Sequence, residues 1–144
     1  MGYCTIDDLK KAVAEGTLIT LTDDSGAGVI DDAKAQEAID AGAEEINAWI
    51  GKRVALPIAG TPPQILAKVN ADIAIWNIYS RVEVETPDVW KERYRNAVKM
   101  LERFAKGEIT LGVQPIPDSP ESYSSGVKMA ARTKIFGPET MEKY

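Results

Sequence analysis

The sequence predicts an all-α fold: a four-helix, antiparallel, bundle-like body with an extended C-terminal tail. Three observations predict it. Apolar residues recur at three- and four-residue spacing through much of the first 107 positions, most of these stretches open on a capping or proline signal, and the period is lost after Gly107. With 144 residues, the chain has the length of one ordinary domain, enough to bury a core without disulfides or metals. A content of 44% hydrophobic and 27% charged residues is globular, and no apolar run approaches the roughly 20 residues needed to cross a bilayer.

Thr5 followed by Asp8 is a helix start signal, and Ile6, Leu9 and Val13 then keep helical spacing up to Gly16, so a first helix is expected over about residues 5–15. The segment TLITLT is short and β-branched and reads as coil. Asp31 and Asp32 open a second helix of about 20 residues, with Ala35, Ile39, Ala43, Ile46 and Ile50 on one face and Glu37, Asp40 and Glu44 on the other. Pro62 and Pro63 suit the first turn of a third helix, where amides have no helical partner. Its run from Ile65 to Val82 is apolar nearly all round, which marks a central, enclosed helix. Thr86, Pro87 and Asp88 start a fourth, with Trp90, Tyr94, Leu101 and Phe104 inward and Lys91, Arg93, Arg95, Lys99, Arg103 and Lys106 outward. Trp49, Trp76, Trp90, Tyr94 and Phe104 are expected in the core or at a subunit boundary. Residues 1–107 thus form the helical domain. Residues 108–144, rich in Pro, Gly and Ser, form a tail that cannot bury itself and is expected to engage a partner.

Several classes of chemistry are disfavoured. There is no His, so the usual base of Ser and Cys nucleophiles and the commonest transition-metal ligand are both missing. Neither the Gly-Ala-Gly at 26–28 nor Gly51-Lys52 fits a phosphate-binding loop. Neighbouring carboxylates such as Glu44 and Glu45 point about 100° apart on a helix, which suits a solvated face better than acid–base work. No catalytic residue, cofactor or resident metal is expected, and the protein reads as a non-enzyme. The N-terminus has no signal-peptide pattern and Cys4 has no second cysteine to pair with, so a reducing cytoplasm is expected; Cys4 itself reads as a small packed residue.

Calcium is the one metal with a partial pattern. Setting Asp23 as position 1 of a hand-type loop places Ser25 at 3, Gly28 at 6 and Asp31 at 9, but Ala27 at 5 and Lys34 at 12, where the bidentate carboxylate belongs. A helix before Asp23 is also not expected. The better reading is a Gly-rich turn feeding an Asp cap. Its acidic face is expected to meet a basic surface of an adjacent subunit.

Net charge is −5, against a protein that grips phosphate backbones over its whole surface, and its distribution is uneven. Residues 1–50 carry 3 Lys or Arg against 11 Asp or Glu, residues 51–110 carry 10 against 7, and the remainder balances. The basic face of the last helix could touch nucleic acid, but Glu92 and Glu102 interrupt it as on any solvated face.

Several of these features occur together in an order that resembles a Mu-like phage and prophage family. They are Tyr-Cys-Thr-x-x-Asp-Leu at Tyr3–Leu9, Leu-x-x-Leu-Thr-Asp-Asp with a Gly-x-Gly turn at Leu18–Gly28, Arg-x-x-Leu-Pro at Arg53–Pro57, the Pro62-Pro63 helix start, and Gly-x-x-x-Leu-Gly at Gly107–Gly112. The resemblance covers about residues 1–112. It implies a head-to-tail connector, a helical adaptor of the virion neck that completes the packaged head and offers a docking surface to the tail. The implied partners are further copies of itself in a ring, expected to be dodecameric, the portal protein, and a tail-proximal neck or tail-terminator protein. DNA would pass through the lumen without specific binding, no membrane is involved, and assembly would take place in the bacterial host cytoplasm. The opposed charges of the chain suit a head-to-tail ring, in which unlike surfaces of neighbours meet. Expected interface residues are Asp23, Asp24 and Asp31 on the acidic side and Arg93, Arg95 and Lys99 on the basic side. From the tail, Tyr123, Met129, Ile135 and Phe136 are expected to engage a partner. The alternative function is a small helical module binding calcium or nucleic acid.

Overall fold

Thr5 starts the first helix as its sequence signal requires. Its hydroxyl accepts from the Asp8 N–H at 3.3 Å, and the Asp8 carboxylate accepts in return from the Thr5 N–H at 2.8 Å. The structure, a computed structural model, describes residues 2–112. Within them lie five helices: α1 (Ile6–Ala12), α2 (Glu15–Thr22), α3 (Asp32–Ile50), α4 (Gln64–Ser80) and α5 (Asp88–Ala105). The fold is all-helical and bundle-like, with one helix more than the periodicity suggests.

The additional helix is α2, and it corrects the reading of TLITLT as coil. The first helix stops at Ala12, before Gly16, because Val13 turns extended (φ −133°, ψ 143°), and the chain restarts helically at Glu15. Leu18 and Leu21 are buried, and the hydroxyls of Thr20 and Thr22 donate back to the carbonyls of Gly16 and Leu18 at 2.9 and 2.8 Å. A β-branched residue costs a helix at most roughly 0.7 kcal/mol relative to Ala. Burying one leucine returns about 1.5–3 kcal/mol, so tertiary burial wins.

Pro63 and Pro87 sit one residue earlier than expected. Each occupies the cap position just before its helix, with φ of −60° and −59°, and neither can offer a side-chain acceptor to the first turn. The central place of α4 is as the sequence suggests, since it packs against each of the other four helices. Its two ends serve two apolar clusters. Ile75 and Ile78 meet Leu9, Leu18, Leu21 and Ile39, while Leu66, Val69 and Ile73 meet Ile46, Ile50, Leu101 and Phe104. Past Gly107 the chain stays on the body, and Leu111 is buried in the second cluster. Trp90 and Phe104 are buried; Trp49, Trp76 and Tyr94 are half-buried. Trp76 stacks on Tyr94 with centroids 4.8 Å apart, and the Tyr94 hydroxyl donates to Glu45 at 3.0 Å, linking α3, α4 and α5.

Asn70, inside the apolar face of α4 and fully buried, joins three segments. Its side-chain oxygen accepts from the N–H groups of Tyr3 and Cys4 at 2.7 and 3.2 Å, and its amide nitrogen donates to the Ile39 carbonyl at 3.0 Å. Gly42 makes room for it, since a Cβ there would lie 2.7 Å from the Asn70 amide nitrogen. Gly2 is equally tight, as its Cβ would lie 2.1 Å from Ile39 Cγ2. Burial, with a smaller contribution from Asp8, pushes the Cys4 thiol up to about 12, which makes it inert at neutral pH.

Arg53 is buried at the opposite end. One guanidinium nitrogen donates to the Phe104 carbonyl at 2.8 Å, and the group lies 4.8 Å from the centroid of the Phe104 ring. Its Nε has no partner, and no described carboxylate pairs with it. The cation follows the C-terminus of α3 and caps that of α5, where the negative ends of two helix dipoles favour it.

Replacing Asn70 by Ala is expected to lower unfolding free energy by about 2–4 kcal/mol, because two buried N–H groups lose their acceptor. Urea denaturation checks this. Asn70→Asp keeps the acceptor but sets a charged oxygen against the Ile39 carbonyl, and should be no less damaging. A loss under about 1 kcal/mol for both would deny Asn70 its joining role.

Candidate functional site

The Thr22–Asp31 turn is built from its own side chains. Thr22, buried at the end of α2, accepts from the Asp31 N–H at 3.0 Å and so closes the loop. Asp23 folds over it, accepting from the Gly28 N–H at 2.7 Å, the Ala27 N–H at 3.1 Å and the Ser25 hydroxyl at 3.2 Å. Gly26 and Gly28 both adopt φ of +78°, which lets the amides turn inward. The amides of Gly28 first and Ala27 second hold the Asp23 carboxyl below the usual carboxylate range. Asp31 caps α3, accepting from the Ala33 and Lys34 N–H groups at 3.1 and 3.2 Å.

Two cations complete the turn. Lys34 Nζ lies 2.8 Å from the Asp31 carboxylate and 3.3 Å from that of Asp24. Arg81, at the end of α4, donates to Asp24 at 2.6 Å and to the Leu21 carbonyl at 2.7 Å. These contacts lower the carboxyls of Asp24 (Arg81 first, Lys34 second) and Asp31 (Lys34), and raise the Lys34 amine. A helix does precede Asp23, so the missing-helix objection to a calcium loop is corrected. The ligand objection stands on geometry: Lys34, at the position of the bidentate carboxylate, binds the position-9 carboxylate of Asp31, while that of Asp23 is taken up by the loop's own amides. Among the described residues no group of three or more His, Cys, Asp or Glu could hold a metal.

The expected interface residues therefore divide. Asp23, Asp24 and Asp31 are brought together, but each is engaged within the chain. Arg93 turns toward α4: its guanidinium lies 4.7 Å from the centroid of the Trp90 ring and 3.7 Å from the buried Asp72 carboxylate, which Lys68 also binds at 2.7 Å. Lys68, Asp72 and Arg93 line a cleft of about 300 Å³ between α1, α4 and α5. The sequence gives little sign of Asp72, whose role depends on cations on two helices. Arg95 and Lys99 are exposed, and neither forms an ion pair with a described residue. Tyr123, Met129, Ile135 and Phe136 lie outside the described residues.

The sign of the Asp24 shift sets a pH dependence. A carboxyl whose folded value lies below its ordinary 3.8 contributes stability that is complete above that value and is lost as pH falls through the lowered one. Asp24→Asn should therefore flatten the loss of stability below about pH 4 and cost little of the remaining slope; melting curves across pH 2–7 read this. Millimolar calcium should leave the melting temperature unchanged. A calcium-dependent rise abolished by Asp23→Ala would reinstate a cation site.

Comparison with known proteins extends the motif resemblance. The family described as "Bacteriophage Mu, Gp36" matches residues 3–130. The "Mu-like prophage FluMu protein gp36" of Haemophilus influenzae is 27% identical over 115 residues, covering 80% of this chain and 78% of that protein. No helix among the described residues is long and apolar enough to cross a membrane. The matched span takes in every helix among the described residues and runs beyond the residues that carried the resemblance, and the chain belongs to the Mu-like phage Gp36 family.

Proposed function

We propose that the protein is a structural component of the virion neck, a head-to-tail connector that forms a ring beneath the portal and presents a docking surface to the tail. The observation that carries this reading is the family match across residues 3–130, which includes each motif of the initial resemblance. The body is suited to such work. The Thr5–Asp8 capping box, the Asp31 cap and the Asn70 joint tie its segments together as a spacer, and its charged outer faces are available for contacts. The protein acts by assembly and takes no catalytic role. Its partners in this reading are further copies of itself, the portal protein and a tail-proximal neck or terminator protein, with DNA passing through the lumen. In this reading the segment that follows the buried Leu111 is the part of the chain that engages one of these partners.

Sedimentation velocity of the full chain, alone and with the portal protein of its phage, tests the proposal. The expected result is a ring that forms with rising concentration or on the portal, and that is also present in purified virions. A chain that stays monomeric in both conditions and is missing from virions would end the reading.

A further inference from the structure

The outward face of α3 carries Ala33, Glu37, Ala41, Glu44 and Ala48, all exposed and all within one arc of roughly 80° at 100° per residue. Apart from these two flexible glutamates the arc carries only alanine, so another helix can approach its backbone between them. Neither Glu37 nor Glu44 forms an ion pair with a described residue. The outward face of α5 carries the complementary charge. Beyond Asp88 and Glu92 in its first turns, it presents Arg95, Lys99, Arg103 and Lys106. Arg103 and Lys106 are paired with Glu108 and Glu102, but Arg95 and Lys99 are not paired.

Both helices bury their opposite stripes in the same apolar cluster, Ile46 and Ile50 from α3, and Ala97, Leu101 and Phe104 from α5. The two charged faces consequently look away from each other, and one chain cannot close them together. We infer that the acidic face of α3 docks on the basic face of α5 of a second copy, Glu37 and Glu44 against Arg95 and Lys99. The contact is heterologous, with each copy offering one face to each neighbour, and it therefore propagates around a ring. This inference rests on the self-assembling connector reading. It makes the exposed pairs, rather than the Asp23–Asp31 turn, the electrostatic determinant of the contact, because the turn has already satisfied its charges within the chain.

Reciprocal charge reversal tests it. One variant carries Arg95→Glu and Lys99→Glu, so both of its faces are acidic; the other carries Glu37→Lys and Glu44→Lys, so both are basic. All four positions are exposed, and circular dichroism should show unchanged helix content; if either variant unfolds, the Gln versions of the same pairs replace it. Each variant alone should assemble on the order of tenfold or more weakly than the wild type, with or without portal protein, as like charges meet. An equimolar mixture should assemble again, because every contact in an alternating ring then joins opposite charges. Wild-type assembly should weaken as salt rises. Wild-type assembly together with unimpaired single variants, or a mixture that fails to recover, would overturn the α3–α5 contact while leaving the connector reading in place. A wild type that never assembles would overturn both. Retention of the wild type on duplex DNA, lost with Arg95→Glu/Lys99→Glu while assembly is unchanged, would assign the basic face to nucleic acid and also overturn the contact.

Discussion

Everything in the body is arranged around one buried amide. Asn70 is enclosed in apolar surroundings where an unpaired polar group is costly, and it is tolerated because both ends of its side chain are used. That requirement fixes several neighbours at once. Residue 42 must be small so that α3 can approach α4, the chain at Tyr3 and Cys4 must run with its amides toward α4, and Gly2 must fit against Ile39. With those settled, the two apolar clusters along α4 fall on either side of the joint, and α5 closes the second one through Leu101 and Phe104.

The legible part of this fold was the part written in local periods. α3, α4 and α5 carry long apolar stripes and start signals at Asp31, Pro63 and Pro87, so their existence and order could be read directly, with starts displaced by about a residue. α2 was not legible, since its threonines argue locally against helix and its leucines gain their burial in a cluster that includes Ile75 and Ile78 of α4, more than forty residues away in sequence. Asn70 and Asp72 were hidden for a related reason: each is a polar residue in a largely apolar run that takes partners from other segments, Asn70 from Tyr3, Cys4 and Ile39, and Asp72 from Arg93 beside its own helix's Lys68.

The candidate surfaces show the same division. Acidic residues around Asp23–Asp31 and basic residues on α5 were plain from composition, but composition does not say which charges remain available after folding. Arg81 reaches Asp24 across 57 positions, and Arg93 turns in toward Asp72, so the chain itself uses charges that appeared available to a partner. Arg95 and Lys99 are exposed and form no ion pair with a described residue. Sequence spacing placed all of them on an outward surface; only the packed helices distinguish a satisfied charge from one with capacity left.

The amide joint also has a consequence for how the molecule comes apart. Its bonds to Tyr3 and Cys4 span 67 and 66 positions, whereas the pairing of α3 with α4 closes over a much shorter stretch of chain. Closing the longer loop gives up more chain entropy and depends on Ile39 and Asn70 already being side by side. The N-terminal strap is therefore expected to lock after the α3–α4 pairing and to open before it. A chain built this way can hold its α3–α4–α5 interior while its first few residues open and close as a local fastening.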